Sequence, residues 1–241
     1  MTEQTTVQEE NNEEKETTIW LEIIKFQLLW YLFNFLILFL EQNLAFDLPI
    51  LDNFYLISFK VVGRSLFIAF FLYWALMEYG LNFKDLGITF KDLFANLKLG
   101  LMVSWPLLLG IIFSHLHLNN LNTLITIDTI EDLSTSLIYY VIIFFGCLIP
   151  AFSTELFYRG FIFKQLKENH CYLIAFILST SFYTLIHLDF RSHIMLLHFI
   201  MAFITTYLYH KTDSLLAPTI FQATYQASLT TFLFAFTGWP F

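Results

Sequence analysis

Ser136–Phe152 reads SLIYYVIIFFGCLIPAF and carries no charged residue from end to end. A helix needs about 20 mainly apolar residues to cross the hydrocarbon core of a bilayer. This run comes close to that, and it lacks the strict apolar/polar alternation of a barrel wall. Runs of the same kind occur near Trp20–Leu40, Val61–Met77, Leu97–Leu116, Tyr172–Leu188, Ile194–Tyr209 and Leu215–Phe236. The expected fold is therefore all-α: a polytopic membrane helix bundle of about seven spans.

Composition agrees with that reading. Of the 241 residues, 57% are hydrophobic, 20% aromatic and only 13% charged, whereas soluble domains carry about 25% charged residues. The net charge of -8 excludes a nucleic-acid partner, because phosphates are neutralised by basic patches. Cys147 and Cys171 stand in apolar context and imply no disulfide framework. A soluble enzyme and a secreted mini-protein are excluded, and the implied surroundings are a lipid bilayer.

Met1–Thr18 differs from the rest of the chain. Glu3, Glu9, Glu10, Glu13, Glu14 and Glu16 stand against Lys15 among Thr, Gln and Asn. So polar a segment cannot offset its ordering entropy, and residues 1–18 read as a disordered acidic tail. Residues 19–80 then hold the first two spans, and residues 81–241 the main membrane domain. At its start, Leu81, Phe83, Leu86, Phe90, Leu93 and Leu97 recur at helical steps, with Lys84, Asp85, Lys91 and Asp92 off the stripe. That pattern predicts a helix over Leu81–Lys98, either amphipathic and lying in the membrane interface or a short connector packed on the bundle. Lysine placement sets the orientation. With the N-terminus cytoplasmic, the inner side collects Lys15, Lys84, Lys91, Lys98, Lys164, Lys167 and Lys211, while Lys60, Arg64 and Arg191 lie outside. Trp20, Trp30, Trp74, Trp105 and Trp239 read as interfacial anchors.

In such a chain the polar residues carry the information, because a charge in hydrocarbon costs several kcal/mol unless paired or hydrated. Glu155 and Arg159 are i and i+4 in Ser153-Thr154-Glu155-Leu156-Phe157-Tyr158-Arg159-Gly160, which stacks them on one helical face. They read as a functional carboxylate with its charge partner, or as a buried pair that fixes packing. His187 follows four residues after Tyr183, and Gln222 and Gln226 share a face of the last span. From spacing alone, the two glutamines read best as helix-to-helix links.

These residues resemble the CAAX protease and bacteriocin-processing (Abi) family of integral-membrane endopeptidases. The resemblance runs through Glu155-Leu156-Phe157-Tyr158-Arg159-Gly160, Tyr183…His187 and Lys211-Thr212-Asp213-Ser214-Leu215-Leu216-Ala217-Pro218, across roughly Lys84–Phe236. It implies Glu155 and His187 as catalytic residues, with Arg159 orienting Glu155. Thr154, Tyr183, Gln222 and Gln226 then line the substrate. The chain departs from the family's pattern mildly at Tyr183, where the family has phenylalanine, and more sharply at three catalytic positions. Thr154 replaces the first of two glutamates, and Gln222 and Gln226 replace a histidine and an asparagine. Threonine cannot act as a general base, though glutamine can still donate to an oxyanion. A zinc site would be left with Glu155 and His187, too few ligands, so no cofactor is expected.

The resemblance thus implies one of two functions. The substitutions favour a pseudoprotease: a binding module for a membrane peptide or membrane protein partner, in bacteriocin self-immunity or regulation of that partner. The alternative is a divergent intramembrane endopeptidase cleaving near the membrane surface. Glu155 and His187 converge only if Pro150 kinks or breaks the fourth span, or if the spans end several residues away from these bounds.

Overall fold

The computed structural model describes residues 20–36, 39, 52–78, 80–118, 130–185 and 192–237, and among them it holds helices and turns but no strand. The helices are α1 (20–36), α2 (Asp52–Glu78), α3 (Leu93–Leu118), α4 (Ile130–Glu155), α5 (Lys164–Asn169), α6 (Tyr172–Leu185), α7 (Ser192–Thr212) and α8 (Leu216–Thr237). Val61–Glu78, Leu93–Gly110 and Tyr140–Asn169 are each long and apolar enough to cross a membrane, and Tyr172–Leu185 is a shorter apolar helix. The acidic tail, His187, Arg191 and Trp239 lie outside the described residues.

The fourth expected span does not stop at Phe152. Pro150 sits inside α4, where it has no N–H to give the helical ladder. The hydroxyls of Ser153 and Thr154 both donate to its carbonyl, at 2.7 and 2.9 Å. Immediately beyond, Leu156–Phe163 runs as a π-helix with every residue buried. Such i→i+5 segments inside α-helices collect at functional sites. α5 follows directly, and His170 in extended conformation ends it. α6 then returns antiparallel: the Ser179 hydroxyl donates to the Tyr158 carbonyl at 3.1 Å, and the Tyr172 ring meets that of Phe163.

α8 packs on α3, α4 and α7, α4 packs also on α2, and α6 lies against α7. The N-terminal helices join this bundle through an aromatic seam. Trp30 of α1 stacks on Phe157 with centroids 5.0 Å apart, and Phe71 of α2 meets Phe157 and Phe161 edge-on. Each well-oriented pair adds about 0.5–1.5 kcal/mol to the burial it brings. The outward faces are apolar. Leu66, Phe70, Tyr73 and Met77 form an exposed stripe on α2, and Leu137, Ile138, Val141, Ile142 and Phe145 do so on α4. So much contiguous exposed apolar surface fits lipid and not water.

Three expectations need correction. Leu81–Lys98 is not one amphipathic helix: residues 83–87 form turns and helix begins only at Leu93. The Asn82 N–H donates to the Asp85 carboxylate at 2.8 Å, and Gly87 has φ +75°, a left-handed conformation that suits glycine. The helical spacing of the apolar residues yields to this turn chemistry. The segment becomes a strap. Its Leu86 is fully buried, its Gly87 carbonyl accepts the Leu215 N–H at 2.9 Å, and Lys164 donates to the Asp85 carbonyl. The Asn82 amide, aided by Lys164, holds the Asp85 carboxyl below its ordinary range.

Trp30 is not an interfacial anchor but part of the core, 1% exposed. Bilayer and bundle interior are equally apolar, so hydropathy cannot tell the two locations apart. Lys60 and Arg64 lie within α2 and not in a loop. Arg64 caps the Trp30 ring at 4.4 Å and donates to Asn34, which lets a guanidinium sit beside a span.

Between α7 and α8 the chain turns at Asp213, φ +49°. Thr212 Oγ1 accepts the Ser214 N–H at 3.3 Å, and Ser214 Oγ accepts the Leu216 N–H at 3.3 Å as the cap of α8. Pro218 falls in the first turn of α8, where its missing N–H is harmless. The Leu215 N–H bond to Gly87 and the Lys164 bond to Asp85 bring this turn and the start of α5 to the strap.

Candidate functional site

The junction of α4 with the π-helix puts Glu155 and Arg159 side by side. Arg159 Nε lies 3.2 Å from Glu155 Oε2, and both side chains are 0% exposed. The guanidinium also donates through Nη2 to the Ala202 carbonyl at 3.0 Å and to Thr205 Oγ1, both on α7. A buried cation is tolerable only with such a set of partners. Arg159 thereby ties the π-helix to α7 as well as to Glu155.

Two tyrosine rings lie beside the guanidinium. Its Cζ lies 4.5 Å from the Tyr183 ring centroid and 5.9 Å from that of Tyr158. The rings themselves meet edge-on at 5.4 Å. This is a cation–π arrangement in a desolvated setting, where each contact reaches about 2 kcal/mol. Tyr183 is held in turn by Gln222 of α8, whose Nε2 donates to the Tyr183 hydroxyl at 3.1 Å. Gln222 therefore links helix to helix, as its spacing suggested. Gln226, one turn on, is half-buried.

The antiparallel return of α6 brings Tyr183 to the Glu155–Arg159 level. Glu155, Arg159, Tyr183 and Gln222 thus belong to one buried cluster. Thr154 is adjacent but half-buried, with its hydroxyl occupied by the Pro150 carbonyl. His187 lies outside the described residues, so the structure does not place it against Glu155.

Several polar atoms of the cluster have no hydrogen-bond partner among the described residues: both oxygens of Glu155, Arg159 Nη1 and Gln222 Oε1. The Glu155–Arg159 contact is an ion pair without hydrogen-bond geometry. Buried acceptors left in this condition favour binding an N–H or O–H group. Among the described residues no three His, Cys, Asp or Glu side chains gather as metal ligands would.

The sequence reading missed Gln27, Tyr158 as a polar partner, and Thr205. Gln27 Nε2 lies 3.1 Å from the Tyr158 hydroxyl, and both residues are buried. An amide inside the apolar run of α1 was the available signal. For Thr205 there was none, since threonine bonds its own helix unremarked in many spans.

Residues 134–228 match the model of the family described as type II CAAX prenyl endopeptidase Rce1-like. No curated protein sequence and no solved structure matches the chain. The matched segment contains Thr154, Glu155, Arg159, Tyr183, His187, Gln222 and Gln226, so the CAAX-protease resemblance read from the motifs holds there.

Proposed function

We propose that this membrane protein, similar over residues 134–228 to type II CAAX prenyl endopeptidases, is a pseudoprotease that binds a membrane peptide or membrane protein partner without hydrolysing it. One observation carries the reading: the position where the family's first glutamate is expected is Thr154, and its hydroxyl donates to the Pro150 carbonyl at 2.9 Å. It is not ionisable, and its one hydroxyl proton is already donated. Gln222 likewise gives an amide N–H to the Tyr183 hydroxyl. What remains is a rigid polar cluster, suited to recognition by shape and hydrogen bonding. Bacteriocin self-immunity or regulation of a membrane partner fits such a module. The reading includes no zinc, since Glu155 and His187 are too few ligands at the motif positions. It places about seven spans in the cell membrane with the N-terminus cytoplasmic, as the lysine distribution supports.

A second reading draws on Glu155. Neither of its oxygens accepts a hydrogen bond among the described residues, which leaves the carboxylate able to take a proton from water. A divergent intramembrane endopeptidase would use Glu155 as base, His187 beside it and Arg159 to orient it.

The discriminating variant is Glu155→Gln, which keeps shape and removes the base. At normal abundance it is expected to retain at least part of the protein's cellular effect, and the purified wild type in vesicles is expected to leave a farnesylated CAAX peptide intact. Complete loss of effect at unchanged stability, with cleavage by the wild type, would establish general-base catalysis instead.

A further inference from the structure

We infer that Gln27, outside the segment matched to the family, is a positioning residue of the Glu155–Arg159 site, acting through the Tyr158 hydroxyl. The inference rests on the reading of that pair as the functional centre. Arg159 lies against a pair of touching tyrosines, and each hydroxyl is held by a glutamine from a different helix. Gln222 of α8 donates to Tyr183 at 3.1 Å, and the Gln27 amide of α1 meets Tyr158 with Nε2 at 3.1 Å and Oε1 at 3.4 Å. Tyr158 immediately precedes Arg159 in the π-helix, so a shift of its ring moves the guanidinium and, through it, Glu155.

The setting makes this bond count. Gln27 and Tyr158 are 7% and 0% exposed, and a buried hydroxyl or amide that loses its partner has no water to turn to. Besides the Arg159 guanidinium, rings surround Tyr158: Trp30, Phe157 and Tyr183. Ring contacts pack the sides of a tyrosine but give its hydroxyl no hydrogen bond. The Gln27 amide is the hydrogen-bonding group that holds the far end. α1 is thus a wall of the site.

The test reads the exposure of Glu155 directly and needs no partner. Wild-type protein and variants in lipid vesicles are treated with dicyclohexylcarbodiimide, an apolar carboxyl reagent, and labelling of Glu155 is followed by peptide mass spectrometry. Gln27→Met, close in volume, and Tyr158→Phe are each expected to raise the labelling rate roughly two- to tenfold, the range one hydrogen bond commands. The double variant should be no faster than either alone, since both remove the same bond. Gln27→Glu, which keeps an acceptor for the hydroxyl, should recover part of the protection. Melting temperature is recorded for all. Faster labelling in Arg159→Gln but not in Gln27→Met, or additive effects in the double variant, would overturn the role of Gln27 and leave the site reading standing. Wild-type labelling in Arg159→Gln would instead remove the site reading itself.

Discussion

The carbonyl oxygen of Leu86 lies 2.6 Å from where a Cβ on Gly160 would stand. The strap between α2 and α3 therefore rests on the backbone of the π-helix, one residue beyond Arg159. Gly160→Ala is expected to push the strap off its seat and cost about 1–3 kcal/mol, as overpacking does. Gly110, whose added Cβ would meet nothing within 4 Å, is the control, and Gly110→Ala should be neutral or slightly stabilising. Thermal unfolding in detergent separates the two. Equal melting temperatures would mean that the strap yields without loss.

Arg159 should matter to stability whatever the chain does. Its charge is shared among Glu155, the Ala202 carbonyl and Thr205, all inside the protein. Arg159→Ala leaves a buried carboxylate alone, a loss of about 3–5 kcal/mol. Lower membrane abundance and a lower melting temperature are expected. Glu155→Gln should be milder, because the guanidinium keeps its bonds to the Ala202 carbonyl and Thr205. A wild-type melting curve for Arg159→Ala would show that water reaches Glu155.

The sequence made the Glu155–Arg159 pair legible because an i,i+4 relation is local and survives the passage from α- to π-helix. The bond from Gln222 to another helix was legible as well, since an amide in an apolar span needs a partner. The π-helix was not, for its apolar residues suit an α-helix equally. Nor was the strap. Asn82, Asp85 and Gly87 hold the turn chemistry, but the spacing of Leu81, Phe83, Leu86 and Phe90 spoke louder. Gln27 shows the harder limit. Its partner Tyr158 is remote in sequence, and only the packing of α1 on the π-helix brings the two together.

Orientation can be tested through the cysteines. Cys171 is exposed between α5 and α6, while Cys147 is half-buried in α4. The strap and the start of α5, joined by Lys164 and Asp85, bring Lys84, Lys91, Lys164 and Lys167 to the Cys171 end of the bundle, and the bond from Leu215 to Gly87 adds Lys211. Lysine-rich loops stay on the cytoplasmic side during insertion, so Cys171 should face the cytoplasm. A membrane-impermeant maleimide is expected to leave intact cells unlabelled and to modify Cys171 in inside-out vesicles. Cys171→Ser should abolish that signal, since Cys147 lies within the apolar segment Tyr140–Asn169, where a charged reagent does not reach. Strong labelling of Cys171 from outside would invert the bundle. It would then place the strap, and the end of the site it covers, on the opposite face of the membrane.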